Sequence, residues 1–496
     1  MDELTIDTTS GRFRGREREG TLFFGGLPFA APPVGALRFH PPQPFPAKAG
    51  VRDARRVGRA APQRPGGGLT SNRPIPFDED CLFLNITTPA CDAARRPVMV
   101  WIHGGDFRTG LGGIPWYAGT RFANSADIVV VTVNYRLGAL GFTALGSLGA
   151  ELKDAGNLGL LDQLAALDWV SKNIERFGGD PGCVTIAGES AGAFSVGALL
   201  ASKRAEGLFQ RAILESGAGH SCLEASAAEV VARRFCEILA IENAADLARP
   251  SVEAILDAQQ QIDAEFYPRG TQQPLGGSIA PFYPVIDGRT LSERPIDAIR
   301  KGASAGIPVL IGTNAHEATL WLDGDFAPAR LEATAKHFGS AHLAAVYREA
   351  LPGASERALQ VAMSTDNGFR IPALRLAEAR ANAPTPTFVY RFGWKSRAFG
   401  GRLGATHALE IPFVFDNLDK AGVDAFLGEG PLPQELASKM HAAWGAFIRS
   451  GDPSCEAVGD WPAYTAGERA SMEFGETTGV LQDPDAPFRA AWDGLL

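Results

Sequence analysis

Gly188-Glu189-Ser190-Ala191-Gly192 has the form G-x-S-x-G, a turn that lifts a serine hydroxyl clear of its surroundings. A serine hydroxyl alone is a weak nucleophile, so the pattern implies acyl transfer with a general base and a carboxylate to orient that base. The same pattern recurs at Gly302-Ala303-Ser304-Ala305-Gly306, so the pentapeptide does not decide by itself. An elbow of this kind needs a strand before it and a helix after it. Ser190 follows the β-branched run Val184 to Ala187 and precedes Ala193 to Ser202, a good helix former. Ser304 follows a charged helical end, Ile299-Arg300-Lys301, and precedes the strand-like Pro308 to Gly312, the reverse order. Ser190 is therefore the expected nucleophile and Ser304 a surface turn.

Positioning such a serine takes a sheet. Val98 to His103, Ile128 to Asn134, Val184 to Ala187 and Val309 to Ile311 are short runs, apolar on both faces and bounded by Gly, Pro or Asp. They read as buried parallel strands. Leu158 to Phe177 carries apolar residues every three or four positions, the stripe of an amphipathic helix. Strand, helix, strand in this order predicts an α/β fold with a central, mostly parallel twisted sheet and helices on both faces. Chemistry on such a sheet sits at the carboxyl ends of its strands. No repeat, charge block or Ser/Gly linker divides the sequence. Residues 1–496 therefore read as a single domain with long inserted surface loops at Ala60 to Phe77 and Phe266 to Pro284.

The base and the acid must come from later in the chain if the order is serine, acid, histidine, as on α/β-hydrolase folds. His220, His316, His337, His342, His407 and His441 lie after Ser190. His337, His342 and His441 fall in helical stretches and read as solvated helix faces, and His220 comes too early. His316 and His407 remain. His407 lies in a turn-rich loop after the predicted strand Thr387 to Phe392. Glu317 follows strand Val309 to Ile311, where a triad acid belongs, with His316 as its satisfied neighbour. Asp287 is a rival carboxylate that reads better as a turn residue. For an oxyanion, His103-Gly104-Gly105-Asp106-Phe107 leaves a strand with glycines that let consecutive amides turn inward.

Taken together, these segments resemble the type-B carboxylesterase and cholinesterase family, most closely its bacterial carboxylesterases. Phe177-Gly178-Gly179-Asp180-Pro181 through Gly192 resembles the family's serine signature, and Glu79-Asp80-Cys81-Leu82-Phe83-Leu84-Asn85 its second signature. Asn134-Tyr135-Arg136-Leu137-Gly138, Gly156-Asn157-Leu158-Gly159-Leu160 and Trp461-Pro462-Ala463-Tyr464 resemble further family segments, so the likeness runs from about Gly11 to Tyr464. The resemblance implies the α/β-hydrolase fold and a serine carboxylesterase working through an acyl-enzyme. It implies Ser190 as nucleophile, His407 as base and Glu317 as orienting acid. It also implies the amides of Gly105, Asp106 and Ala191 as oxyanion donors, with Glu189 and Ser216 supporting the site. Two positions depart from the pattern: Ala318 replaces a glycine, and Asp106 stands where most relatives carry Gly or Ala.

The expected partner is a small-molecule ester. No metal or organic cofactor is expected, since neither HExxH nor GxGxxG occurs. A net charge of −9 without a basic run argues against nucleic acid. No apolar stretch approaches the ~18–20 residues of a membrane span, and the N-terminus does not read as a secretory signal. A cytoplasmic monomer is expected. Six cysteines without CxxC spacing read as thiols in a reducing compartment. Many relatives pair the cysteine at Cys81 with one in a Cys-Pro-Gln segment, which here reads Ala61-Pro62-Gln63, so Cys81 is expected to be free. The loop from Ala61 to Cys81 holds no Trp to stack on a choline headgroup, which disfavours cholinesterase activity. Carbamate, amide or thioester hydrolysis on the same triad is the alternative chemistry. From a different class comes a non-catalytic scaffold of the same fold.

Overall fold

The computed structural model describes residues 4–65, 75–266, 280–322 and 327–496. The chain forms two compact units. One takes in residues up to Ile114, Ala118–Arg211 and His220–Ala298; the other takes in Pro115–Tyr117, Ala212–Gly219 and Ile299–Leu496.

The first unit is built on strands β1 (Arg16–Arg18), β2 (Thr21–Pro28), β3 (Phe83–Thr88), β4 (Arg96–Ile102), β5 (Val129–Val133) and β6 (Gly179–Glu189). Their spatial order is β6-β4-β5-β3-β2-β1. β4 pairs in parallel with both β5 and β6, and β3, β2 and β1 continue antiparallel. Every residue of β5 is buried, as a β-branched run with no polar face requires.

The amphipathic reading of Leu158 to Phe177 needs correction. Helix α1 (Leu158–Asn173) is buried on most of its circumference, including Asp162 and Gln163. Arg136 is the reason. Its guanidinium holds both Asp162 oxygens at 2.8 and 2.7 Å, and its backbone N–H donates to the same carboxylate at 3.0 Å. A charge on the helix is thereby satisfied without water.

The inserted loops are described only at their ends, since residues 66–74 and 267–279 lie outside the described residues. Ala60 to Gln63 and residues 280–284 are buried, while Arg64, Pro65 and Pro76 are exposed. Gln63 explains the first: its amide donates to Gly110 O at 2.9 Å and accepts from the Gly110 N–H at 3.0 Å. Residues 280–285 are likewise buried, with the Val285 N–H donating to Asn157 Oδ1 at 2.9 Å.

The second unit carries β7 (Arg211–Glu215, all but its first residue), β8 (Val309–Asn314), β9 (Thr387–Phe392), β10 (Ala470–Phe474) and β11 (Thr478–Gln482), side by side in that order. β7 through β10 run parallel and β11 turns back. The Val309 run is longer than expected, reaching Asn314, and Thr387 to Phe392 is a strand with the expected bounds.

Candidate active site

In the first unit, β6 ends at Glu189, and helix α2 (Ala191–Ala201) begins one residue later. Ser190 is that one residue, with φ 55° and ψ −122°. A non-glycine residue held there costs about 1–3 kcal/mol and persists only where its surroundings enforce it. The enforcement is visible. A Cβ added at Gly192 would lie 2.0 Å from Ile102 O, and one at Gly188 would lie 2.5 Å from Gly192 C. Both clashes are with backbone, so the turn closes against β4 only with glycine at each position. Ala191 is the first residue of α2, so its N–H belongs to the orphan donors of a helix start.

The segment after β4 runs beside this turn. A Cβ at Gly104 would lie 2.7 Å from a Glu189 carboxylate oxygen and 3.0 Å from Ser190 Cβ. Gly105, Asp106 and Phe107 follow with φ of 111°, 57° and 55°. Among the described residues, neither the Gly105 nor the Asp106 amide donates to a backbone acceptor. His103 anchors the start: its ring stacks on Tyr135 at 4.6 Å, and the Tyr135 hydroxyl donates to His103 O at 2.7 Å. Burial holds His103 neutral, lowering its pKa to about 4. Burial first, and the Glu189 charge second, push the Tyr135 phenol above its usual range.

The Asp106 side chain is engaged on both oxygens. Oδ2 accepts from Arg108, and Oδ1 accepts from the Tyr283 hydroxyl. Arg108 also holds Asp263 with bonds of 2.9 and 2.7 Å. Tyr283 packs edge-on against Phe107 at 5.0 Å.

In the second unit, β8 delivers Glu317. Glu317 Oε1 accepts from the Asn314 N–H at 2.7 Å, and Oε2 lies 2.7 Å from His407 Nδ1. Glu317 is fully buried and His407 nearly so. Behind them sits a polar cluster. Asn314 Nδ2 donates to Thr406 O at 2.7 Å and to Glu410, and the Ser216 hydroxyl donates to Glu410 Oε1 at 3.1 Å. His316 is used structurally: its N–H donates to Ala405 O at 2.9 Å, and its Nδ1 accepts from the Ala405 N–H at 3.1 Å. Those two bonds tie the His407 loop to the end of β8. Trp321 and Phe369 face the His407 ring, each at 4.9 Å.

Ser190, Ala191, Glu189, Gly105 and Asp106 thus lie together in the first unit, and Glu317, His407 and Ser216 in the second. Ser304 sits between helix Pro295–Arg300 and β8, the helix-to-strand turn expected of it. His337 and His342 are exposed, but His441 is not the solvated histidine its helix suggested. It is buried, with Nδ1 2.9 Å from Val414 O. Asp287 closes a turn, its Oδ1 accepting from the amides of Arg289, Thr290 and Leu291. None of the six cysteines is joined in a disulfide, and burial pushes the Cys81 thiol well above its usual range. Sequence reasoning missed Asn314, Glu410, Trp321, Phe369 and Tyr283, of which only Asn314, three residues before the acid on the same strand end, carried a positional signal.

Among the described residues no cluster of His, Cys, Asp or Glu is arranged to hold a metal, and no helix is long and apolar enough to cross a membrane. The model of the carboxylesterase family matches residues 2–490. Para-nitrobenzyl esterase of Bacillus subtilis (strain 168) is 38% identical over 99% of this chain and 98% of its own. Phenmedipham hydrolase of Pseudarthrobacter oxydans is 36% identical over 95% of this chain and 94% of its own. Among solved structures, the carboxylesterase of Geobacillus stearothermophilus matches with a TM-score of 0.88 at 39% identity, covering 99% of this chain and 100% of that one.

Proposed function

The chain belongs to the carboxylesterase family, with its α/β-hydrolase fold, and is a carboxylic ester hydrolase; from that premise we propose that it works through an acyl-enzyme on Ser190. His407 is the general base. Its Nδ1 is engaged by Glu317, which leaves Nε2 to take the serine proton. Ser190 Oγ attacks the ester carbonyl, and the resulting oxyanion is met by the N–H groups of Gly105, Asp106 and Ala191. Collapse of the tetrahedral intermediate expels the alcohol, which takes the proton from His407. A water molecule then gives a proton to His407 as it attacks the acyl carbon. Collapse of this second intermediate breaks the bond to Ser190 Oγ, which takes the proton back from His407 as the acid leaves. Glu317 keeps its contact with Nδ1 throughout and holds the imidazole in the tautomer the first step needs. Glu189 and Ser216 support the two halves of the machinery without touching the ester.

The observation that carries this reading is the strained backbone of Ser190, enforced by Gly188 and Gly192 at the start of α2. Ser304 shares the positive φ, at 52°, but a Cβ at Gly302 or Gly306 would meet nothing within 4 Å, so the enforced turn, rather than the φ alone, singles out Ser190. A fluorophosphonate probe tests it. One adduct per chain is expected, mapping to the Ser190 peptide and absent from Ser190→Ala. Labelling at Ser304, or turnover surviving in Ser190→Ala, overturns the assignment. A series of p-nitrophenyl esters of increasing acyl length then measures the acyl pocket, with a burst of p-nitrophenol expected where deacylation is slow.

A further inference from the structure

Phe369 stands on a single turn of π-helix, Asp366–Arg370, set between two α-helical segments, Glu356–Thr365 and α3 (Ile371–Ala379). Turns of this type are rare and concentrate at functional sites. This one touches three things at once. On one side Phe369 lies 4.9 Å from the His407 ring and stacks on Trp321 at 5.9 Å with the planes 6° apart. Immediately before the turn, the Thr365 hydroxyl accepts the Ala318 N–H at 3.2 Å, next to Glu317. On its other side Asp366 and Arg370 are buried at 0% and 7% exposure and bonded to each other.

That ion pair extends into the segment near the end of the chain. Arg370 Nη1 lies 3.2 Å from Asp485 Oδ1, and the guanidinium sits over the Phe488 ring at 5.6 Å. Asp366 also accepts from the Tyr347 hydroxyl, which accepts the Trp492 indole N–H at 2.9 Å. Asp485 takes a second cation, Arg391, at 3.4 Å. Buried ion clusters are poor devices for stability, because desolvation offsets their attraction and well-packed apolar residues often do as well. Their directional bonds do something apolar packing does not: they fix one geometry. Here the geometry fixed is that of the turn carrying Phe369.

We propose that Asp366, Arg370 and Asp485 are positioning residues for His407, locking the π-helical turn from behind so that Phe369 holds the imidazole where Nδ1 meets Glu317. The proposal rests on His407 being the base. It makes residues 485–492, which contribute no group to the chemistry, part of what aims it.

Three variants test this in enzyme whose active sites have been counted with a fluorophosphonate, so that misfolded protein does not enter kcat. Arg370→Met keeps an unbranched apolar stem and removes the charge and its donors, Arg370→Lys keeps the charge, and Phe369→Ala removes the wall while leaving the ion cluster in place. Small misplacements of a catalytic group cost up to about 100-fold. Arg370→Met and Phe369→Ala should each lower kcat about 10–100-fold with KM within about threefold, the mark of a transition-state effect. The downfield NMR resonance of the His407 Nδ1 proton should shift or broaden in both, and Arg370→Lys should restore most of kcat. A folded Arg370→Met with lowered thermal stability but unchanged kcat and resonance overturns the proposal. Should Arg370→Met fail to fold, Phe369→Ala decides, and an unchanged kcat there overturns it equally. His407→Ala separates the two readings. If it keeps turnover, the base assignment falls; if it is inactive while Phe369→Ala and Arg370→Met keep full kcat, only the present proposal falls.

Discussion

His407 Nδ1 and Glu317 Oε2 are 2.7 Å apart, and the second oxygen of that carboxylate is taken by the Asn314 amide, also at 2.7 Å. Glu317 therefore has one orientation and accepts on both oxygens. Glu317→Gln keeps the shape but offers an amide N–H or a neutral oxygen to Nδ1, which weakens or inverts the tautomer preference of the ring. The expected loss is roughly 10⁴ in kcat with the fold retained, the scale of a triad acid replaced by its amide. Steady-state kinetics alongside circular dichroism check it, and a loss under about tenfold would remove Glu317 from the acid's role.

The two serine pentapeptides should behave oppositely. Ser190→Ala removes the nucleophile from an intact turn and should abolish turnover in soluble, folded protein. Ser304→Ala alters a surface turn, where changes typically cost under about 0.5 kcal/mol, so activity should stay within about threefold. Equal loss in both variants would contradict the choice between them.

Asp106 is the residue where a charge stands in the loop proposed to bind the oxyanion. A carboxylate aimed at that site would repel a like charge at ~4 Å by several kcal/mol at an effective dielectric near 20. The structure sends it elsewhere, to Arg108 and Tyr283. The backbone N–H is present whatever the side chain, so Asp106→Ala should change kcat/KM by less than about tenfold, or under ~1.4 kcal/mol. A larger loss would mean that the bonds to Arg108 and Tyr283 are what aim the amide, and Tyr283→Phe would then share in it.

Stability should fall on acidification in a definite window. The pKa values of His103 and His316 are both lowered from 6.5 to about 4, burial being the leading cause in each. Between those values the unfolded chain binds protons that the folded chain refuses, so stability rises with pH across the window and levels off above it. At roughly 1.4 kcal/mol per pKa unit, each of the two accounts for about 3 kcal/mol lost by about pH 4. Urea midpoints measured from about pH 7 downward should show the slope, and His316→Asn, which keeps an acceptor for the Ala405 N–H, should reduce it. A midpoint that does not move over this range contradicts the expectation.

The parts of this molecule legible in the sequence are those whose cause is local. Val129 to Val133 has no polar face to offer water, and the strand–turn–helix around Ser190 is written in consecutive residues. Partners from distant segments were not legible. The stripe of Leu158 to Phe177 reads as an amphipathic helix because nothing near Asp162 announces Arg136, 26 residues earlier. His441 looked solvated for the same reason, its acceptor being Val414 O. The residues alone left His316 beside His407. The structure shows His316 spending its Nδ1 on Ala405, a bond made 89 residues away. Trp321, Phe369 and Glu410 obey no spacing rule at all; they meet His407, Asn314 and Ser216 only through tertiary folding.

The glycines flanking Ser190 separate two ways in which a variant of this enzyme dies. In a saturation library across 188–192, Ser190 itself is the tolerant position as far as solubility goes, since its Cβ is already accommodated and Ala or Cys adds no bulk to the backbone. Gly188 and Gly192 are the reverse: even a methyl group meets backbone at 2.5 Å or less, so their substitutions fail before any chemistry is attempted. Sorting such a library first by yield of soluble protein and then by turnover would place the serine variants and the glycine variants in different bins. An effort to install a new nucleophile on this scaffold is therefore free to change the residue at the apex but not the two positions that frame it.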